Sequence, residues 1–164
     1  METPIQQWLE ANNLSGAVVP NCQPATFILP ADHLLEVLTE LHTQPAFFFD
    51  QLSCLTGIDN GPEANTLEVI YHLYSIPFNQ SLAIKVIVPR ENPVVPSVAH
   101  IWRTANWHER EAFDLLGIRF SNHPDLRRIL MPADWEGHPL RKDYQEQTSY
   151  RGITVKYDRE KLYE

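Results

Sequence analysis

The chain has 164 residues, 43% of them apolar, and 13 Lys and Arg against 21 Asp and Glu give it a net charge of −8. That length and apolar share suit one folded domain, or one domain plus an arm, and exclude wholesale disorder. The charge is unevenly placed: residues 1–84 carry nine acids and no Lys or Arg, whereas all 13 basic residues fall from Lys85 onward among 12 acids.

An acidic half-chain opposes nucleic-acid binding, which needs a clustered positive surface to neutralise phosphates. The first residues lack the basic stretch of a secretory signal and the Arg-rich texture of a transit peptide. No apolar run approaches the roughly 20 residues that span a bilayer. Cys22 and Cys54 are too few for a cluster with four cysteine ligands or for a disulfide framework, and both are expected to be structural, in β-rich apolar surroundings. The chain reads as soluble and cytosolic.

Thr3-Pro4 can start a helix, and Ile5, Trp8 and Leu9 give a short amphipathic one over 4–12. A turn follows over Asn12–Gly16. Ala17–Val19 and Thr26–Leu29 are short β-rich runs, each followed by proline, and form a hairpin-like pair. Asp32 is placed to cap the next helix, whose stripe is Leu34, Leu35, Leu38 and Leu41. Three strands are then expected: Phe47–Leu55, ending in a turn over Gly57–Pro62, then Leu67–Tyr74 and Leu82–Val88. These runs predict an α+β fold with a mostly antiparallel or mixed sheet and helices packed on it.

Prolines 89, 93 and 96 mark an extended linker, Ser97 can cap a helix through Trp102, and Ala105–Leu116 is a helix closed by Gly117. Residues 1–92 thus read as the body, 93–144 as a region that completes it, and 145–164 as an extended tail too poor in apolar residues to pack alone.

Region 102–144 concentrates Trp107, Trp135, His123, His138, Arg127, Arg128, Arg141 and Lys142. Tryptophan and arginine are over-used at protein interfaces. On the helix, Glu109 shares a face with Ala105, Ala112 and Leu116, so its carboxylate needs an arginine or hydrogen bonds, and Arg127, Arg128 and Arg141 are the available cations. Arg110, Glu111 and Asp114 flank it. Other chemistries fail on spacing. His108-Glu109 lacks the second histidine of a zinc-peptidase helix, because position 112 is Ala112. His108, His123 and His138 match no finger or ribbon spacing, and no glycine-rich phosphate loop exists. Asp134 and Glu136 are adjacent acids with nothing to order them for glycosidic chemistry.

The run Asn106–Phe120 (NWHEREAFDLLGIRF), followed by His123–Leu130 (HPDLRRIL), resembles the signature of the 30 kDa subunit family of respiratory complex I. Trp135–Tyr144 (WEGHPLRKDY) is similar to the family's second hallmark, and the likeness runs from about Phe47 to Tyr144. Asn122 stands where members often carry Gly, and Leu116 where Phe is common. The resemblance implies a subunit of the hydrophilic arm of a proton-translocating NADH:quinone oxidoreductase, beside the 49 kDa-type quinone-site subunit and neighbouring cluster-bearing subunits. It implies no cofactor on this chain, with NAD, FMN, iron–sulfur clusters and quinone held elsewhere in the complex. It places the protein peripherally on the cytoplasmic side of the bacterial inner membrane. Trp107, Glu109, Arg110, Glu111, Asp114, His123, Arg127, Arg128, Trp135, His138, Arg141 and Lys142 would then form a contact network. The equivalent subunit of a membrane-bound hydrogenase or ferredoxin-driven quinone reductase is the alternative.

Overall fold

The computed structural model describes residues 4–11 and 17–154. Helix α1 (Pro4–Ala11) presses Ile5 and Leu9 into the core, as their spacing dictates. The turn expected over Asn12–Gly16 lies outside the described residues. Strands β1 (Ala17–Val19) and β2 (Ala25–Leu29) pair antiparallel. Helix α2 (Leu34–Thr43) buries Leu34, Val37, Leu38 and Leu41, so Val37 takes the place on the inner face expected of Leu35. Asp32 does not cap it: Ala31–His33 form a 3-10 turn leading straight into the helix, and neither turn nor helix has a side-chain cap.

Three long strands follow: β3 (Gln51–Asp59), β4 (Thr66–Ser75) and β5 (Gln80–Pro89). The sheet order is β1-β2-β5-β4-β3, antiparallel except where β2 runs parallel to β5. Register aligns Phe27, Ile84, Tyr71 and Leu55 in one row, and Leu29, Val86, Val69 and Gly57 in the next, all on one face. These rows and the buried leucines of α2 belong to a single core cluster. The opposite face is half-open, and an ion pair of Lys85 with Glu68 (2.7 Å) crosses it.

The expected strand over Phe47–Leu55 is corrected to Gln51–Asp59. Phe47 and Phe49 are buried, but from the turn that closes α2, where the N–H of Phe49 donates to the carbonyl of Leu41. β3 then continues through Gly57 and Ile58, the start of the expected turn.

Gly57 is in the strand for a packing reason. Helix α3 (Ala105–Leu116) lies so close that a Cβ on Gly57 would sit 2.4 Å from Leu116 Cδ1 and 3.2 Å from Ile118 Cδ1. Gly57→Val is therefore expected to lower stability by about 1–3 kcal/mol through overpacking, read as a reduced urea midpoint.

The linker after β5 gives β6 (Val94–Pro96), which pairs parallel with β7 (Arg119–Ser121) after α3. Ser97 opens a turn rather than a helix: its hydroxyl accepts from the Ala99 N–H at 3.2 Å while donating to Glu109. The N–H groups of Ile101 and Trp102 both donate to Val98, and residues 97–104 go no further than turns. Cys22 is exposed rather than in apolar surroundings, and Cys54 is half-buried on β3, near Thr56 Oγ1 at 3.2 Å. The tail is not uniformly extended: β8 (Ser149–Tyr150) and β9 (Ile153–Thr154) form a tight hairpin. Its two central residues, Arg151 and Gly152, have φ of 50° and 81°, the sign that matches the strand twist of a two-residue hairpin. Residues 155–164 lie outside the described residues. No helix among the described residues is long and apolar enough to cross a membrane.

Candidate functional site

Helix α3 organises the region singled out in the sequence. Gly117 ends it at φ 74°, and a Cβ there would fall 2.6 Å from His138 Nε2, so both conformation and space require glycine. The last carbonyls of α3, the negative end of its dipole, are gathered up by the chain that follows. Arg128 and His138 donate to the Asp114 carbonyl, the N–H of Leu140 to Leu115, and Arg141 Nε to Leu116 at 2.7 Å. Burial pushes the His138 imidazole below its ordinary value, with Arg141 and Arg128 adding to the effect and the bond to Asp114 opposing it.

Asp114 is fully buried and fixes the first loop of this strap. Its Oδ2 accepts from the N–H groups of Ile129, Leu130 and Met131 at 2.7–3.0 Å, and its Oδ1 from Arg128 at 2.8 Å. Burial alone would raise its carboxyl, but the Met131 amide, Arg128 and the other two amides together hold it below the usual value. Arg128 spends its other nitrogen on the carbonyls of Trp135 and Gly137, both at 2.9 Å. Arg110 donates to the carbonyls of Arg127 and Arg128. Trp135 donates to Tyr144 Oη and packs against the Tyr150 ring.

Glu109 is also fully buried, yet it meets none of the arginines. Its Oε2 accepts from Ser97 Oγ at 2.6 Å and its Oε1 from the Val98 N–H at 2.7 Å. His123 Nε2 stands 3.8 Å away, but that ring donates from Nε2 to the Asn106 carbonyl and accepts the Asp125 N–H at Nδ1, the pattern of a neutral imidazole. Arginines 127, 128 and 141 are held elsewhere by carbonyls, Asp125 and Asp114, so of the two partners expected for Glu109 the hydrogen bonds are found and the arginine is not. Without a cation, burial drives the Glu109 carboxyl from 4.5 to about 7, against the pull of the bonds from Ser97 and Val98. The buried Tyr71 hydroxyl has no hydrogen-bond partner among the described residues, and burial, then the nearby Glu109 charge, pushes it well up.

The sign of the pH effect follows. Between about pH 4.5 and 7 the unfolded chain has released the Glu109 proton and the folded chain keeps it, so stability falls as pH rises through that window. The effect is about 3 kcal/mol. In Glu109→Gln the amide oxygen can accept from Val98 and its NH2 can donate to Ser97. Urea unfolding from pH 5 to 8 should then show a flatter profile than wild type and no loss of stability at pH 8.

Other residues named from the sequence fall at the rim. Trp107 is 70% exposed, Glu111 and Arg127 are exposed, and the side chain of Lys142 is exposed while its N–H donates to Asp59. His123 and His138 engage separate neighbours, His108 lines the outer side of α3, and no group of three possible metal ligands occurs among the described residues. Sequence reasoning missed Ser97 as the partner of Glu109. It also missed the clasp of Asp59 with Arg90 and Asp143, because both contacts join segments whose pairing has no local signal.

Fold and strap define an α+β domain whose last long helix is clamped at its C-terminal end by the segment that follows it. Residues 27–150 match the model of the family described as respiratory-chain NADH dehydrogenase, 30 Kd subunit. The chain belongs to this family. It is 45% identical to the C subunit of NADH-quinone oxidoreductase from Chlorobium phaeobacteroides over 131 residues, 79% of this chain and 78% of that one. It is 49% identical to the protein of the same name from Moorella thermoacetica over 121 residues, 74% of this chain and 80% of that one. Among solved structures it is similar to a trypsin-resistant fragment (1–134) of Nqo5, with a TM-score of 0.63 and 30% identity over 74% of this chain and 97% of that one. A chain of an archaeal membrane-bound sulfane sulfur reductase shares the fold at a TM-score of 0.70 and 22% identity, covering 86% of this chain and 83% of that one.

Proposed function

We propose that the chain is a non-catalytic scaffold subunit in the hydrophilic arm of NADH:quinone oxidoreductase, beside the 49 kDa-type quinone-site subunit and the neighbouring cluster-bearing subunits. NAD, FMN, iron–sulfur clusters and quinone belong to those partners, and the chain meets the membrane indirectly, from the cytoplasmic side. One observation carries the reading: the buried Asp114 and the arginines around it, Arg110, Arg128 and Arg141, are consumed in fixing backbone, as Asp114 fixes 128–131, rather than gathered into a catalytic cluster. Such groups shape a surface. Trp107, Leu130 and Leu140 remain 59–70% exposed on it, as side chains waiting for a neighbour would be. Native purification of a tagged copy from gently solubilised membranes tests the reading, with mass spectrometry of what accompanies it. Recovery of the quinone-site, cluster-bearing and NADH-binding subunits is expected. Recovery of hydrogenase subunits, or of the chain alone, would overturn it.

A further inference from the structure

An open groove of about 660 Å³ runs along the outer side of α3, walled by Arg103, Trp107, His108 and Glu111 on one side and by Ile129 and Leu130 on the other. Two features separate it from ordinary surface. Its far wall is rigid, because the backbone N–H groups of Ile129 and Leu130 are pinned by the buried Asp114 carboxylate while Leu130 stays 61% exposed. An exposed apolar side chain on a locked loop loses little freedom on binding, and beside an exposed tryptophan it has the make-up of an interface hot spot. The second feature is charge. Arg110, Arg128 and Arg141 are occupied by carbonyls or a carboxylate, whereas the side chains of Arg103 and Glu111 have no hydrogen bond or ion pair among the described residues. They have opposite signs, and Arg103 stands two residues ahead of the start of α3 whereas Glu111 lies within the helix.

We infer that this groove is the seat of a single segment of a neighbouring subunit, which inserts an apolar side chain between Trp107 and Leu130. That segment places a carboxylate on Arg103 and a Lys or Arg on Glu111. The charge order fixes its direction along α3, because a reversed segment would set like charges together at both ends. The inference rests on the proposed membership of a multi-subunit enzyme and adds where the partner enters and what it presents.

A photo-reactive benzoylphenylalanine replaces Trp107 or Leu130 in the tagged chain, with Ile76 in the β4–β5 turn as the control position. The intact complex is purified from membranes after irradiation. The expected adduct from positions 107 and 130 is one segment of another subunit with an acid and a base flanking its apolar residue. Arg103→Glu should cut the amount of complex recovered several-fold, and reversing the partner's acid to Lys should restore it. Each of these results would overturn the inference: an intact complex without adducts at either position, adducts to a second copy of this chain, adducts to lipid, a cross-linked segment without the two charges, or Arg103→Glu assembling at wild-type level. If the control copy brings down no other subunits, the proposed function fails and the inference with it. If it brings them down while positions 107 and 130 stay free, only the inference fails.

Discussion

Replacing Asp114 by Ala is expected to lower stability by about 3–5 kcal/mol, the range for stripping one partner from a buried, hydrogen-bonded charge pair. One carboxylate satisfies four donors, three successive amides and Arg128, and Ala leaves all four short. Asp114→Asn should do little better despite its shape. Whichever way the amide is turned, its NH2 faces either three N–H groups or a guanidinium. The two buried acids of α3 thus respond oppositely to amidation, Glu109→Gln being tolerated and Asp114→Asn not, because one carboxyl lacks a cation and the other is ringed by donors. Urea unfolding at pH 7 checks the pair, and Asp114→Asn within 1 kcal/mol of wild type would sink the account. A loss of this size is a large part of the 5–15 kcal/mol that holds a domain together. It also frees the loop carrying Ile129 and Leu130, so recovery of the assembled complex should fall with it.

The same two residues show how much of the molecule can be read from the sequence. Period 3.6 places Glu109 beside Ala105, Ala112 and Leu116, and Gly117 stops the helix, so α3 and the burial of its acid are local facts. The partner of that acid is not. Charge balance points to arginine, but a helix terminus with free carbonyls competes for the same guanidinium groups and wins Arg128 and Arg141. Ser97 is legible as a capping hydroxyl and does accept the Ala99 N–H, yet it opens only a turn, and its own proton goes to a side chain twelve residues on. The strands β4 and β5 show dense β-formers and are found where expected, whereas β3 is displaced because Phe47 and Phe49 are apolar without being extended. Gly57 imitates a turn for the sake of contact with Leu116. The parallel pairing of β2 with β5 joins residues more than fifty positions apart and leaves no local trace. Asn122, the departure from the resemblance at the turn before His123, has φ 60°, a conformation asparagine tolerates better than most residues.

Asp59 is the second position where a single change should be severe, for a different structural reason. It closes β3 with 1% of its side chain exposed, and receives Arg90 through Nε and Nη2 at 3.1 and 3.0 Å. The amides of Gly61 and Lys142 donate to it as well, at 2.9 and 2.8 Å. Asp143 holds Arg90 from the other side, so sheet end and strap share one clasp. Burial raises the Asp59 carboxyl, but Arg90 and the two amides outweigh it and bring the value to about 2 from 3.8. The folded value is below the unfolded one. Stabilisation is therefore complete above about pH 4 and is lost as pH falls toward 2, a decline of about 2 kcal/mol from this group alone. Asp59→Ala should cost about 3–5 kcal/mol at pH 7, since Arg90 keeps only a half-exposed partner and the Lys142 amide loses its acceptor. Asp143→Ala should be far milder, because Asp143 is 48% exposed and Asp59 remains on Arg90. Hydrogen exchange separates the clasp from general destabilisation. In Asp59→Ala the amide of Lys142 should exchange faster by more than the global loss accounts for, while amides in the middle of β4 and β5 should follow the global loss. Equal acceleration at all of these sites would mean that Asp59 serves the sheet and leaves the strap to hold itself.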